Sequence, residues 1–182
     1  YSKKAINSID DLKGLKFRAY NSATIRIAEL TGMAPTKIEA AEISQAFSTG
    51  AVESMITSPT TGKNSKIWEN GVGYFYDIAA WFPKNMIIVN KDSWNKLDDA
   101  TKKLVMSEAA IAEKKGWDLS KKGNVADKKA LSDAGMKVGK VNSALQKHFQ
   151  KVGATMSEEW KKKAGSRGAS VLACLLYTSD AA

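Results

Sequence analysis

The sequence predicts an α/β fold, and three observations carry that reading. Over the first 90 of its 182 residues, short extended segments alternate with short helical ones, the order in which an α/β domain builds its sheet. After Asp98, small and apolar residues recur at steps of four and three for about 35 residues, the period of a single helix. At 1.5 Å rise per residue such a helix is roughly 50 Å long, too long for one small α/β lobe. The composition, 43% hydrophobic, 26% charged and only three prolines, is that of one globular domain or one and a half. Disordered, collagen-like and coiled-coil classes are excluded.

The elements follow in order. Residues 9–14 form a turn-rich lead into a strand over residues 15–20. Asn21 and Ser22 offer an N-cap to a helix with Ile25, Ala28 and Leu30 inward, stopped at Gly32. Residues 35–38 are the next strand, residues 42–47 a short helix ended by Gly50, and residues 51–58 a third strand. Pro59 opens another short helix through Trp68, with Asn70-Gly71 as its stop. Residues 74–77 are extended, and residues 86–90 have the composition of a buried strand. Asp98 and Asp99 then cap the long helix, whose stripe of Val105, Ala109, Ala112, Gly116, Leu119, Gly123, Ala126 and Ala130 implies either close backbone packing or a kink, because an interior glycine costs roughly 1 kcal/mol relative to alanine. An edge strand over residues 136–141 and an amphipathic helix on Leu145, Phe149, Val152, Met156 and Trp160 complete the chain.

The boundaries so drawn are residues 1–82, an α/β lobe; residues 83–173, a return strand, the long helix and the last strand and helix; and residues 174–182. This last run follows the final helical pattern without a turn or cap. It resembles, residue for residue, the translation of a transposon-end sequencing adapter, and is expected to stand outside the fold. The longest apolar runs, residues 78–82 and 86–89, fall far below the roughly 18 residues of a membrane span. No basic and apolar leader opens the chain, and Tyr1 begins as the middle of a folded chain would.

Composition also limits the chemistry. With Cys174 in the tail and a single histidine, His148, structural zinc, Cys–His nucleophiles and redox pairs are excluded. His148 lies in a Lys-flanked amphipathic stretch and is expected to be a solvated helix residue. Charge is uneven, net +2 over residues 1–90 and +8 over residues 91–173. Yet 25 of 28 basic residues are lysines, interleaved with acids along the long helix, which is the pattern of a solvated face. Base readout favours arginine forks, and the chain has no nucleic-acid motif, so no nucleic-acid partner is expected.

In an open α/β sheet, ligands bind at the carboxyl ends of strands beside helix starts. Three places meet that description: Arg18 before the Asn21/Ser22 cap, Thr57-Ser58 before Pro59, and Trp81 before Pro83. An arginine fork, hydroxyls and an aromatic wall suit a small carboxylate. Equally, Arg18 could be a surface strand residue, Thr57-Ser58 a plain helix cap and Trp81 core. Glu39 and Glu42 could be a catalytic carboxylate pair, but no nucleophile or metal set accompanies them, and a helix-start charge describes them better.

An ordered set of motifs goes further. Asp10-Asp11-Leu12-Lys13-Gly14-Leu15-Lys16-Phe17-Arg18 resembles the DLKGLKxR motif of the solute-binding subunits, DctP-like, of tripartite ATP-independent periplasmic (TRAP) transporters. Glu42 to Phe47, Thr49 to Glu53, the run Met55-Ile56-Thr57-Ser58-Pro59, and Trp81 to Asn90 match further family motifs in order, over residues 5–165. Glu53 and Ser54 depart from the family's Asp-Gly, and Thr57 stands where many members have Asn. The resemblance implies a two-lobed, periplasmic-binding-protein-like fold of the class II kind, with a long helix spanning both lobes. On that expectation roughly 120 to 140 residues precede Tyr1, a figure set by ordinary domain lengths.

It implies as well a periplasmic subunit that captures an organic acid and delivers it to TRAP membrane subunits, without catalysis, metal or cofactor. Together with the strand-end reading, the expected ligand-binding residues are Arg18, Asn21, Thr57, Ser58, Trp81 and Asn85, and the resemblance itself implies that Arg18 pairs the ligand carboxylate and Thr57 faces the cleft. The alternative function is an α/β enzyme acting on a small carboxylate.

Overall fold

The computed structural model describes residues 1–80 and 85–179, with side chains as far as residue 175. A parallel sheet organises it. Strand β1 (Lys16–Ala19) is central, with β2 (Ala34–Lys37) on one side and β3 (Ser54–Met55) on the other. Helix α1 (Ser22–Thr31) connects β1 to β2, and α2 (Ile43–Ser48) connects β2 to β3. Each parallel neighbour is thus reached through a helix, as parallel pairing requires.

Beyond β3 the sheet continues through Ser2, which bridges Ser54 on one side and Tyr74 on the other in antiparallel sense. Strand β4 (Tyr74–Tyr76) follows, paired in parallel with β5 (Lys137–Gly139) at the edge. Between β3 and β4 lie helix α3 (Pro59–Asn64) and a 3-10 turn at Ile67–Asn70. The single helix expected from Pro59 through Trp68 is thus divided, because Lys66 adopts a left-handed conformation at φ 44°. Tyr1 packs against α3 at Gly62, where a β-carbon would overlap its phenol ring, and the Tyr1 hydroxyl donates to the Ser58 carbonyl at 3.0 Å.

Side chains alternate in direction along β1, buried from Phe17 to Ala19, and two cores lie on its two faces. Phe17 and Ala19 face one way, onto Ile27 and Ala28 of α1 and onto Leu145 and Val152 of α6 (Ser143–Ser179). Met55, Phe47, Ile43 and Ile67 form the other core, joined by Leu131 near the end of α5 (Asp99–Asp133). Helices therefore cover both faces, the usual condition of a parallel sheet. Arg26 ties α1 to α6, its Nε and Nη2 donating to the Glu159 carboxylate at 3.0 and 2.6 Å. Helix α6 is broken at Gly165, whose φ of 64° and ψ of −154° suit glycine alone.

The long helix matches its expected bounds, with Asp98 accepting from the Thr101 amide at 2.8 Å as the N-cap. It runs through Gly116 and Gly123 without a break, and nothing lies within 4 Å of a β-carbon placed at Gly116. Close packing of the small-residue stripe is accordingly not found among the described residues.

The strand expected over residues 86–90 is irregular and exposed, Ile87 completely. Apolar composition makes a strand only where a neighbour takes up its backbone groups, and this segment pairs with no strand among the described residues. A short helix, α4 (Lys91–Asn95), capped by Asn90, leads from it toward α5. His148 also departs from expectation: it is half-buried, and its Nε2 is sealed from water without a hydrogen-bond partner.

Candidate functional site

Arg18 lies on the central strand, one residue from its carboxyl end, and is only 4% exposed. Its side chain emerges on the face opposite Phe17 and Ala19. Two contacts orient the guanidinium: Nε donates to the Ile38 carbonyl at 2.8 Å, and Cζ stands 4.7 Å from the centre of the Tyr20 ring. Ile38 is brought there by the ladder, its amide donating to the Ala19 carbonyl at 3.0 Å. Burial draws the Arg18 pKa below its ordinary value, and the Glu39 carboxylate opposes the shift. A guanidinium nevertheless stays charged at any physiological pH.

The terminal nitrogens of Arg18 make no hydrogen bond to any described residue. The geometry of a guanidinium, with parallel N–H donors at its end, matches a planar anion such as a carboxylate.

The register sets Arg18 opposite Met55, which puts Thr57 and Ser58 beyond the carboxyl end of β3, next to the loop that carries Tyr20 and Asn21. The sheet thus brings Arg18, Asn21, Thr57 and Ser58 to one edge. Their chemistry differs. Asn21 caps α1, its Oδ1 accepting from the Thr24 amide at 2.9 Å while Thr24 Oγ1 accepts from the Asn21 amide in return. Ser58 caps α3, with Oγ accepting from the Thr61 amide at 3.1 Å. For these two oxygens the plain-cap reading holds. Asn21 Nδ2 and the half-buried Thr57 hydroxyl make no hydrogen bond among the described residues and remain open to a ligand.

Asn85 is exposed and Trp81 lies outside the described residues. Glu39 and Glu42 cap the 3-10 turn Ala40–Glu42, the Glu42 carboxylate accepting from the Glu39 amide at 3.2 Å, which is the structural role expected of them. No cluster of three metal-ligating side chains occurs among the described residues. Tyr20 and the Ile38 carbonyl were not among the sequence candidates. A signal for Tyr20 existed, since residues two apart on a strand share a face.

The model of a family described as bacterial extracellular solute-binding protein, family 7 (DctP), matches residues 1–163. The chain belongs to this family. Among solved members, a Bordetella pertussis extracytoplasmic solute receptor that binds pyroglutamic acid, DctP7, superposes with a TM-score of 0.91 at 38% identity, over 94% of this chain and 57% of that one. A marine metagenome TRAP solute-binding protein specific for pyroglutamate gives 0.89 at 36% identity, over 93% and 55%. The sialic acid-binding periplasmic protein SiaP of Vibrio cholerae is 31% identical over 107 residues, which is 57% of this chain and 32% of SiaP. The chain spans little more than half the length of those solved members and less of its curated relatives. Its family and solved neighbours are solute receptors, not enzymes, and its fold is the α/β fold of TRAP periplasmic binding proteins. No described helix is long and apolar enough to cross a membrane.

Proposed function

We propose that this chain belongs to a periplasmic receptor that captures a small organic acid through Arg18 and delivers it, chemically unchanged, to the membrane subunits of a TRAP transporter. The observation that carries the reading is Arg18 itself: 4% exposed, oriented by two contacts, and without a partner among the described residues for its terminal nitrogens. Burying a cation without a carboxylate beside it costs stability, and a ligand carboxylate supplies the missing charge. Thr57 and Asn21 Nδ2 then offer polar contacts at the same edge, and Trp81 and Asn85 are the further residues assigned to the ligand.

Solved members at 36 to 38% identity that bind pyroglutamate support a compact monocarboxylate of that kind as the ligand. A two-lobed closure over the ligand accords with a lobe over residues 1–82 and a lobe-spanning helix over 99–133. Calorimetric titration of the full-length protein with pyroglutamate and with sialic acid tests the proposal. One of the acids binds at one site and is recovered intact; conversion of the bound acid to a product defeats the receptor reading.

A further inference from the structure

We propose that Tyr20 is a positioning residue for Arg18, its ring holding the guanidinium in one plane so that a ligand carboxylate is met end-on by the two terminal nitrogens. The proposal rests on the carboxylate-capture reading and adds to it the direction of approach and the residue that enforces it.

The geometry runs from the backbone outward. Tyr20 follows Arg18 by two positions, just past the end of β1, so both side chains lean to the same side of the chain. Cζ lies over the Tyr20 ring, 4.7 Å from its centre, so the ring backs the guanidinium. A stacked guanidinium keeps all its N–H donors, because they lie in its plane and not on its face.

The Ile38 carbonyl occupies one of those donors, at Nε. A carboxylate could otherwise pair side-on, with Nε and one terminal nitrogen, or end-on, with both terminal nitrogens. The carbonyl already holds Nε–H, so the end-on pair is the bidentate mode left. One in-plane contact and one face contact together define the plane. Remove the ring and the guanidinium can swing about its single hydrogen bond, and the ligand must then immobilise a long side chain on binding. The ring face, negative in its quadrupole, also moderates the burial of an arginine that has no carboxylate paired to it.

The test uses the full-length protein with Tyr20→Leu and Tyr20→Phe, read in two ways. Without ligand, the Arg18 Nε–Cζ correlation in NMR carries the ring-current shift of a stacked guanidinium. Tyr20→Leu abolishes that shift and speeds rotation of the terminal nitrogens, whereas Tyr20→Phe keeps both; an Arg18 signal unchanged in Tyr20→Leu overturns the proposal. In titrations with pyroglutamate and sialic acid, Tyr20→Leu weakens the acid that binds by about five- to thirtyfold. Tyr20→Phe recovers affinity to within about threefold of the parent. On an Arg18→Lys background the same Tyr20→Leu change costs under about twofold, because the ring then has no plane to hold. Equal losses on both backgrounds overturn the proposal by showing that the ring acts on the ligand directly. Failure of the capture reading looks different: Arg18→Lys then binds like the parent, while the Arg18 signal still responds to Tyr20.

Discussion

The last turns of α5 and the rest of that helix are built from the same kinds of residue and have opposite surroundings. Leu131 is 0% exposed in the core beneath the sheet, and Asp127 is held by Lys63 Nζ at 2.8 Å and by Thr60 Oγ1 at 2.6 Å, both from α3. Upstream, Leu104, Met106, Ile111, Trp117, Leu119 and Val125 are 59 to 69% exposed. Periodicity along a helix says which residues share a face, whereas burial depends on whether another element lies against that face. Here only the carboxyl end of the helix meets one among the described residues. These exposed apolar side chains lie on more than one side of the helix: Leu104, Ile111, Leu119 and Val125 share one side, and Met106 and Trp117 lie opposite.

The contrast is broken most directly by truncating one leucine from each region. In the 182-residue chain, Leu131→Ala costs about 2–5 kcal/mol through the lost transfer energy and the cavity left behind. Leu119→Ala stays within about 0.5 kcal/mol. Urea denaturation compares the two, and equal costs would mean that the stripe is covered after all. Repeating the pair in the full-length protein sharpens the point, because a covered stripe raises the Leu119→Ala cost toward that of Leu131→Ala.

Next in size is a contrast between two arginines. Arg18→Lys keeps the charge but loses the fork, and weakens capture of the acid by roughly 10- to 100-fold, the worth of about one charge-assisted hydrogen bond. Arg26→Lys disturbs the α1–α6 pairing with Glu159, lowers stability slightly and leaves affinity unchanged. Calorimetry and thermal melts on both variants separate the roles. An affinity loss at Arg26 equal to that at Arg18 would end the distinction.

The smallest effect is a pH dependence at the packed end of α5. Hydrogen bonds from Lys63 and Thr60 hold the Asp127 pKa below the ordinary carboxylate value. A depressed folded pKa contributes stability that is present above the unfolded value of about 3.9 and is lost as pH falls through the folded one. Asp127→Asn therefore destabilises the chain by about 1–2 kcal/mol at pH 7 and flattens its acid-unfolding curve below about pH 4. An unchanged acid limb would show that Asp127 does not bind α5 to α3.

Taken alone, the sequence determined the elements with strong local signals. The capping residues Asn21, Ser58 and Asp98, the glycine stop at Gly32 and the full span Asp99–Asp133 were all legible, because caps and helical period act over a few neighbouring residues. The ordered motifs reached the family, and Arg18 stood out as an arginine at a strand end in a lysine-rich chain. Tertiary structure decided what depends on distant groups. Residues 86–90 are no strand, because strand composition needs a neighbouring ladder. At Gly116 and Gly123 the stripe meets no other element among the described residues, and His148 is half-buried where solvation was expected. The orientation of Arg18 required the Ile38 carbonyl, 20 residues away along the chain and brought close by the pairing of β1 with β2. Local signals specify which conformation a segment prefers; what a side chain touches is fixed by the ladder and the layers, through contacts that no short window of sequence contains.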